Sequence, residues 1–221
     1  MRSFLLITIA VTAALTSCTH KELCLSHHHT ARVRIRTDWS EFTVEKPTGM
    51  SVHVYGEDGE EMRRALSNNT AFVDMELVPG FYDVMVFNQS PSEFGTIRFE
   101  KLDSRKDAAA MGELTKSLWF KADEEPVISE PEWFGTEIRE GLEVSSVMMQ
   151  ASPQIRKTRS SDFPEANTLV TMVPRSIIYT ISVTVKIRGI YNLKAARASL
   201  SGLAAGYKLG EGHQTEATAT E

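Results

Sequence analysis

The feature that most limits what this chain can fold into is alternation of apolar and polar residues, repeated over many short runs. In ARVRIRTDW (31–39), Val33 and Ile35 fall on one side and Arg32, Arg34 and Arg36 on the other. A period of two marks a strand with one buried face, because successive side chains of a pleated strand point to opposite faces. MSVHVYG (50–56) repeats the pattern, with Val52 and Val54 inward and His53 and Tyr55 outward. EDGEE (57–61) then supplies an Asp-Gly turn, since glycine accepts positive φ without steric cost. In AFVDMELVPGFYDVMVFN (71–88), two alternating runs flank Pro79-Gly80, which reads as a type II turn. FGTIRFEKL (94–102) offers a further short strand, and 142–148 a returning one.

One stretch departs from this pattern. SRKDAAAMGELTKSLWF (104–120) predicts a short helix, capped by Ser104, with Met111, Leu114 and Leu118 on one face. An exposed acidic loop follows at 126–132. Residues 150–167 are polar, basic and interrupted by Pro153 and Pro164, which marks a linker. Beyond it, 168–190 is dense in β-branched residues, and Ile177, Tyr179, Ile181, Val183, Val185 and Ile187 keep a period of two. Gly202 and Gly206 favour one more strand and a bend over a helix at 193–210, and the tail is polar. The sum is an all-β chain of antiparallel β-sandwich architecture. The expected division is a first sandwich at 31–150, a linker at 151–167 and a partial second β unit at 168–221. A sandwich domain takes about 100 residues. Strands after the linker must therefore complete the first sandwich or form an incomplete second one.

The N-terminus has its own logic. Arg2 is followed by FLLITIAVTAAL (4–15), the charge and short apolar run of a secretory signal peptide. That run is too short for a bilayer span, which takes about 20 apolar residues. LTSC (15–18) resembles the lipobox of bacterial lipoproteins, in which the cysteine is acylated and becomes the first mature residue. Residues 1–17 are thus expected to be removed, leaving Cys18 as the lipid attachment and 18–30 as an anchor segment. Acyl chains gain about 0.8 kcal/mol per buried methylene, so several of them hold a protein on a membrane. Removal of 1–17 takes one positive charge, Arg2, and moves the net charge from −5 to −6. A mildly acidic chain lacks the clustered Lys and Arg of nucleic-acid binders. The expected location is the outer membrane, with no nucleic-acid partner.

Chemistry-bearing residues are few. Cys24, His27, His28 and His29 put zinc- or copper-type ligands close together. His27 and His29 share a side in an extended chain, and Cys24 reaches them only through a turn. A structural zinc site wants a second ligand pair, which does not follow. Three readings stand: a packed thiol, a metal site of Cys24, His27 and His29, or an intermolecular disulfide, with packing preferred. No nucleophile-elbow, zincin or phosphate-loop motif occurs, so neither an enzyme nor a cofactor is expected. Trp39, Trp119 and Trp133 could stack on a ligand; Trp39 reads as core, and Trp133, in the acidic loop, as a candidate platform.

Taken in order, the lipobox, HKELCLSHHHT, a strand ending in DW, GMSVHVYGEDGE, LVPGFYDVMVFN and IYTISVTVKIRGIYNLKAARASLSGLAAGY resemble the fimbrillin-like surface lipoproteins of Bacteroidota. The likeness is to a branch with a C-x-x-H-x-H start, here Cys24, His27 and His29. It implies two transthyretin-like β-sandwich domains, no enzymatic activity, other fimbrillin-like subunits as partners, and a role in or beside adhesive pili. Relatives are commonly longer, so the second domain is expected to be truncated after Glu221. The alternative is a surface lipoprotein that binds glycan or protein and never polymerises.

Overall fold

The computed structural model describes residues 30–115, 126–145, 168–189, 191, 194 and 198–220. It is an all-β sandwich, and no α-helix occurs among the described residues. The alternating runs before residue 103 become strands, whereas the one at 177–187 does not. In chain order these are β1 (Ala31–Thr37), β2 (Met50–Tyr55), β3 (Glu61–Ser67), β4 (Phe72–Leu77), β5 (Gly80–Phe87), β6 (Ile97–Glu100) and β7 (Ala109–Gly112). There follow β8 (Gly135–Val144), β9 (Thr168–Met172), β10 (Arg175–Ser176), β11 (Leu203–Ala204), β12 (Gly206–Lys208), β13 (His213–Gln214) and β14 (Thr218–Ala219).

A three-stranded sheet, β4-β1-β9, faces a five-stranded sheet, β10-β8-β5-β2-β3. Val33 and Ile35 of β1, Val52 and Val54 of β2, and Val84 and Val86 of β5 fill the space between them. The arginines of β1 point away from that core: Arg32 and Arg34 both pair with Asp74 on β4, at 2.8 and 2.7 Å. So far the alternation means what it says. The five-stranded sheet, however, is covered on its second face as well, by the sheet β13-β12-β7-β6. Tyr55, Met85, Phe87, Phe94 and Phe134 fill this second interior. Every residue of β2 is therefore buried. His53 and Tyr55, expected outward, are sealed beneath the added layer.

Two other expectations are corrected. The runs flanking Pro79-Gly80 do not pair with each other, because β4 and β5 belong to different sheets. Gly80 is absent from the positive-φ residues, so the bend is a corner between sheets, not a type II turn. Proline has no N–H to give a ladder, and Leu77 before it and Tyr82 after it enter the same core. The Tyr82 hydroxyl donates to the Val78 carbonyl at 2.8 Å and ties the corner, a device that recurs in β-sandwiches. The helix expected at 104–120 does not form over its described part. Residues 109–112 are instead β7, hydrogen-bonded to β6 and β12. Ala108 and Ala110 lie buried against the aromatic layer. A Cβ at Gly112 would come within 2.9 Å of Ile128. The small residues that raise helix propensity are there for close sheet packing, and packing overrides propensity. By contrast, the Asp-Gly turn forms as read, with Gly59 at φ 79° closing the β2–β3 hairpin.

The chain after the expected linker returns to the first sandwich before leaving it. β9 lies parallel to β1, and Val170 and Met172 join the core. β10 then pairs with the start of β8. Further on, β12 extends the covering sheet, and β11 pairs with β14 over Ile128, Ala205 and Ala219. Gly202, at φ 76°, makes the bend into β11. Residues 151–167 lie outside the described residues.

Candidate docking strand and aromatic cleft

The residues singled out near the N-terminus, Cys18, Cys24, His27 and His29, lie outside the described residues, as does Trp119. Among the described residues no group of three or more His, Cys, Asp or Glu side chains is placed to hold a metal. The two remaining tryptophans separate clearly. Trp39 packs on the main core, sits edge-on to Phe42 at 5.8 Å, and donates its indole N–H to the Thr70 carbonyl at 2.8 Å. Trp133 has no such anchorage. Its ring meets no other aromatic, and its N–H has no partner among the described residues.

The backbone beneath Trp133 is nevertheless fixed from both sides. Glu132 accepts from the Gly95 N–H at 2.7 Å and the Thr96 N–H at 3.1 Å, while its own N–H donates to Thr96 Oγ1 at 2.8 Å. Asn88 donates through Nδ2 to the Trp133 carbonyl at 3.2 Å and accepts from the Gly135 N–H at 2.9 Å. Phe134 then turns inward, in ring contact with Phe87, Phe94 and Phe99. Phe134 is locked in the interior, and Trp133, just before β8, stays partly exposed.

Beside it runs the stretch from Ile177 to Ile187. The Ile177 N–H donates to the Phe134 carbonyl at 3.0 Å, and Ile177 and Ile178 pack on the aromatic layer. From Tyr179 onward the chain leaves the body. Tyr179 is 81% exposed, Ile181 63%, Val183 69%, Val185 67% and Ile187 47%. The intervening Thr180, Ser182, Thr184 and Lys186 are exposed too. Residues 179–187 belong to no ladder among the described residues. The result is a strand-like segment with one apolar and one polar face. Between its base and the Trp133 loop lies an open cleft of about 660 Å³, lined among others by Glu130, Trp133, Tyr179, Ile181, Ser199 and Leu200. A smaller apolar pocket of about 220 Å³ lies against the same base, next to Met111, Ile128 and Leu203.

Residues 17–221 match a family described as a domain of unknown function, DUF5119. The chain belongs to that family. No curated protein matches it. Among solved structures, this DUF5119 chain is similar to a "putative adhesin" from Bacteroides ovatus, with TM-score 0.63 and 19% identity over 86% of this chain and 61% of that one. It thus spans less than two thirds of that adhesin's length. A looser likeness, at TM-score 0.44 and 10% identity, is to "putative polysaccharide binding proteins" from Bacteroides thetaiotaomicron, over 66% of this chain and 47% of that one. At 19% identity, the likeness to the adhesin shows the fold alone.

The DUF5119 chain also holds a buried polar cluster that sequence reading missed. His53 Nδ1 lies 2.6 Å from Glu61 Oε1, and His53 Nε2 lies 3.3 Å from Ser51 Oγ. Glu61 is also bound by Arg64, at 2.9 and 2.6 Å. Burial pulls the His53 pKa below its ordinary value, against the opposing pull of Glu61. Burial pushes the Glu61 carboxyl up, but the hydrogen bonds from Arg64 and His53 together outweigh it and hold it below the ordinary range. Ser, His and Glu in sequence have the composition of a nucleophile triad. The geometry does not serve that use. Ser51 and His53 are both fully buried, and the Ser51 hydroxyl donates to the Gln89 carbonyl at 2.9 Å. The signal was available: with a turn at 57–60, His53 falls opposite Arg64 in the hairpin register.

Proposed function

We propose that this chain is a lipid-anchored, fimbrillin-like protein of the bacterial cell surface, with a structural or adhesive role and no catalysis. It joins a partner by adding the segment 179–187 to an open sheet edge. The carrying observation is that segment: an alternating Ile/Val/Tyr face held out from the body, with its backbone in no ladder among the described residues. Unpaired strand backbone accepts a partner strand, and main-chain pairing with side-chain pockets on alternate residues is a general way to join proteins. A contiguous apolar face of this kind is rare on soluble monomers. The fold likeness to an adhesin supports the same reading. The second reading, a surface lipoprotein that captures ligands without polymerising, draws on the cleft beside the strand.

The test is analytical ultracentrifugation of the anchorless chain, residues 21–221. We predict concentration-dependent association of the wild type. The double variant Ile181→Lys, Val183→Lys should be monomeric, with an unchanged melting temperature. A wild type that stays monomeric at every concentration would remove the docking strand. Anchoring is tested separately. Cys18→Ala should move the protein from the detergent phase to the aqueous phase, and unchanged partitioning would remove the lipid anchor.

A further inference from the structure

We infer that the cleft between the Trp133 loop and the base of the 177–187 segment is a carbohydrate subsite for a neutral glycan, with Trp133 and Tyr179 as its stacking surfaces. The cleft shares Tyr179 and Ile181 with the docking segment, but the inference turns on Trp133 in the loop before β8, which strand pairing does not use. Three observations on different residues carry it.

The first is the state of the two aromatic rings. Among the other described aromatics, Phe87, Phe94 and Phe134 form one buried cluster and Trp39 has both ring and N–H engaged, while the exposed Phe72, Phe81 and Tyr191 do not line this cleft. Trp133 and Tyr179 line a cleft with neither ring in aromatic contact and neither polar tip hydrogen-bonded among the described residues. An aromatic ring with a free polar tip offers an apolar face and a donor together. A pyranose ring is the complement, with C–H groups on its face and hydroxyls around its rim.

The second is rigidity. The backbone of residues 132–135 is held by the Glu132 and Asn88 brackets described above. A platform fixed before binding loses little freedom when ligand arrives. Nothing in the packing of the first sandwich requires a tryptophan at 133, since Phe134 alone makes the inward contact.

The third is the polar complement of the cleft. Glu130, Thr180 and Ser199 have no hydrogen-bond partner among the described residues, and they line the cleft alongside the apolar Leu200 and Leu203. Concave sites of mixed lining with a few uncommitted polar groups are where small ligands bind. Glu130 and Glu132 make the lining acidic, and among the described residues no Lys or Arg lines it. That charge disfavours uronate and sialate sugars and selects neutral ones. The open shape suits an internal run of a chain, not a buried single sugar.

The experiment uses the full chain in detergent and isothermal titration calorimetry, with cellohexaose, mannohexaose, maltohexaose and chitohexaose as neutral probes and hexagalacturonate as the anionic one. At least one neutral probe should bind, and hexagalacturonate should not. Trp133→Ala should weaken that binding by about tenfold or more, while Trp133→Phe keeps most of it. Because Trp133 lies outside the core clusters, Trp133→Ala should leave the melting temperature and the sedimentation coefficient unchanged. The inference is overturned if all four neutral probes are silent, or if Trp133→Ala leaves their affinity intact. It is also overturned if Trp133→Ala abolishes self-association with no glycan effect, which would make the cleft a protein-docking groove. Failure of the docking strand, read as a wild type that stays monomeric in ultracentrifugation, leaves the Trp133 calorimetry untouched.

Discussion

β2 and the 179–187 segment are written in the same alternating pattern and end in opposite environments. In β2, Val52 and Val54 meet the three-stranded sheet while His53 and Tyr55 meet the aromatic layer, and all six residues are buried. In the later segment neither the Ile/Val face nor the Thr/Ser face is covered. Alternation thus specifies a strand and an apolar side, but not how many layers will lie on it. That number is set by residues far away in sequence. Sheet β13-β12-β7-β6 covers β2 because Ala108 and Ala110 let it approach and Phe94 and Phe134 fill the gap.

The sharpest way to break the comparison is to place the same charge in both strands. Val54→Lys would put an ammonium at a fully buried site with no partner. We predict loss of the folded state, a cost above about 4 kcal/mol. Val183→Lys, at a site 69% exposed, should change stability by no more than about 0.5 kcal/mol in the monomer. Circular dichroism melts of the two variants decide it. Equal destabilisation would mean that the later segment is covered in solution by the protein's own chain.

A second contrast tests whether the added layer contributes stability. Phe87 and Phe81 lie on the same strand, β5, one fully buried under the third sheet and the other 49% exposed. Phe87→Ala removes ring contacts with His53, Phe99 and Phe134 and should cost about 3–5 kcal/mol. Phe81→Ala should cost under about 1 kcal/mol. Urea midpoints measure both. A small effect at Phe87 would show that the covering sheet packs loosely.

Much of this was legible in the sequence, and the failures have a common cause. β1, with arginines out and valine and isoleucine in, follows its own pattern, because its outer arginines stay partly exposed and meet surface groups such as Asp74 and the Phe72 ring. The Asp-Gly hairpin is local chemistry and was readable for that reason. The Pro79-Gly80 corner was not, because whether two runs pair or diverge into different sheets depends on β1, β2 and β8. The helix read at 104–120 failed because alanines that favour a helix in isolation also suit a tightly packed sheet. At the candidate surface, Trp133 could be picked out as an aromatic in an acidic loop. Its pairing with Tyr179 across a cleft could not, since 46 residues separate them. The Ser51–His53–Glu61–Arg64 cluster was hidden by assigning His53 to solvent.

That cluster gives the smallest predicted effect, and its sign follows from burial. His53 has its pKa lowered from 6.5 by desolvation, against the raising influence of its hydrogen bond to Glu61, with Ser51 and Arg64 as its other polar neighbours. Below pH 6.5 the unfolded chain takes a proton on this histidine while the folded chain does not. The unfolded state then binds more protons, so stability falls as pH falls through this window. Glu61, held below 4.5, adds a second loss at lower pH, when the unfolded carboxyl protonates before the folded one. We predict that the wild-type melting temperature starts to decline below about pH 6.5, by a few degrees, and falls again below about pH 4.5. His53→Gln keeps a polar group of similar reach beside Glu61 and removes the titrating ring. It should flatten the first step and leave the second. Differential scanning fluorimetry from pH 8 to pH 4 reads both. If the wild type is level down to pH 5, or if His53→Gln retains the first step, then His53 does not sit neutral between the two layers, and β2 is less enclosed than its burial implies.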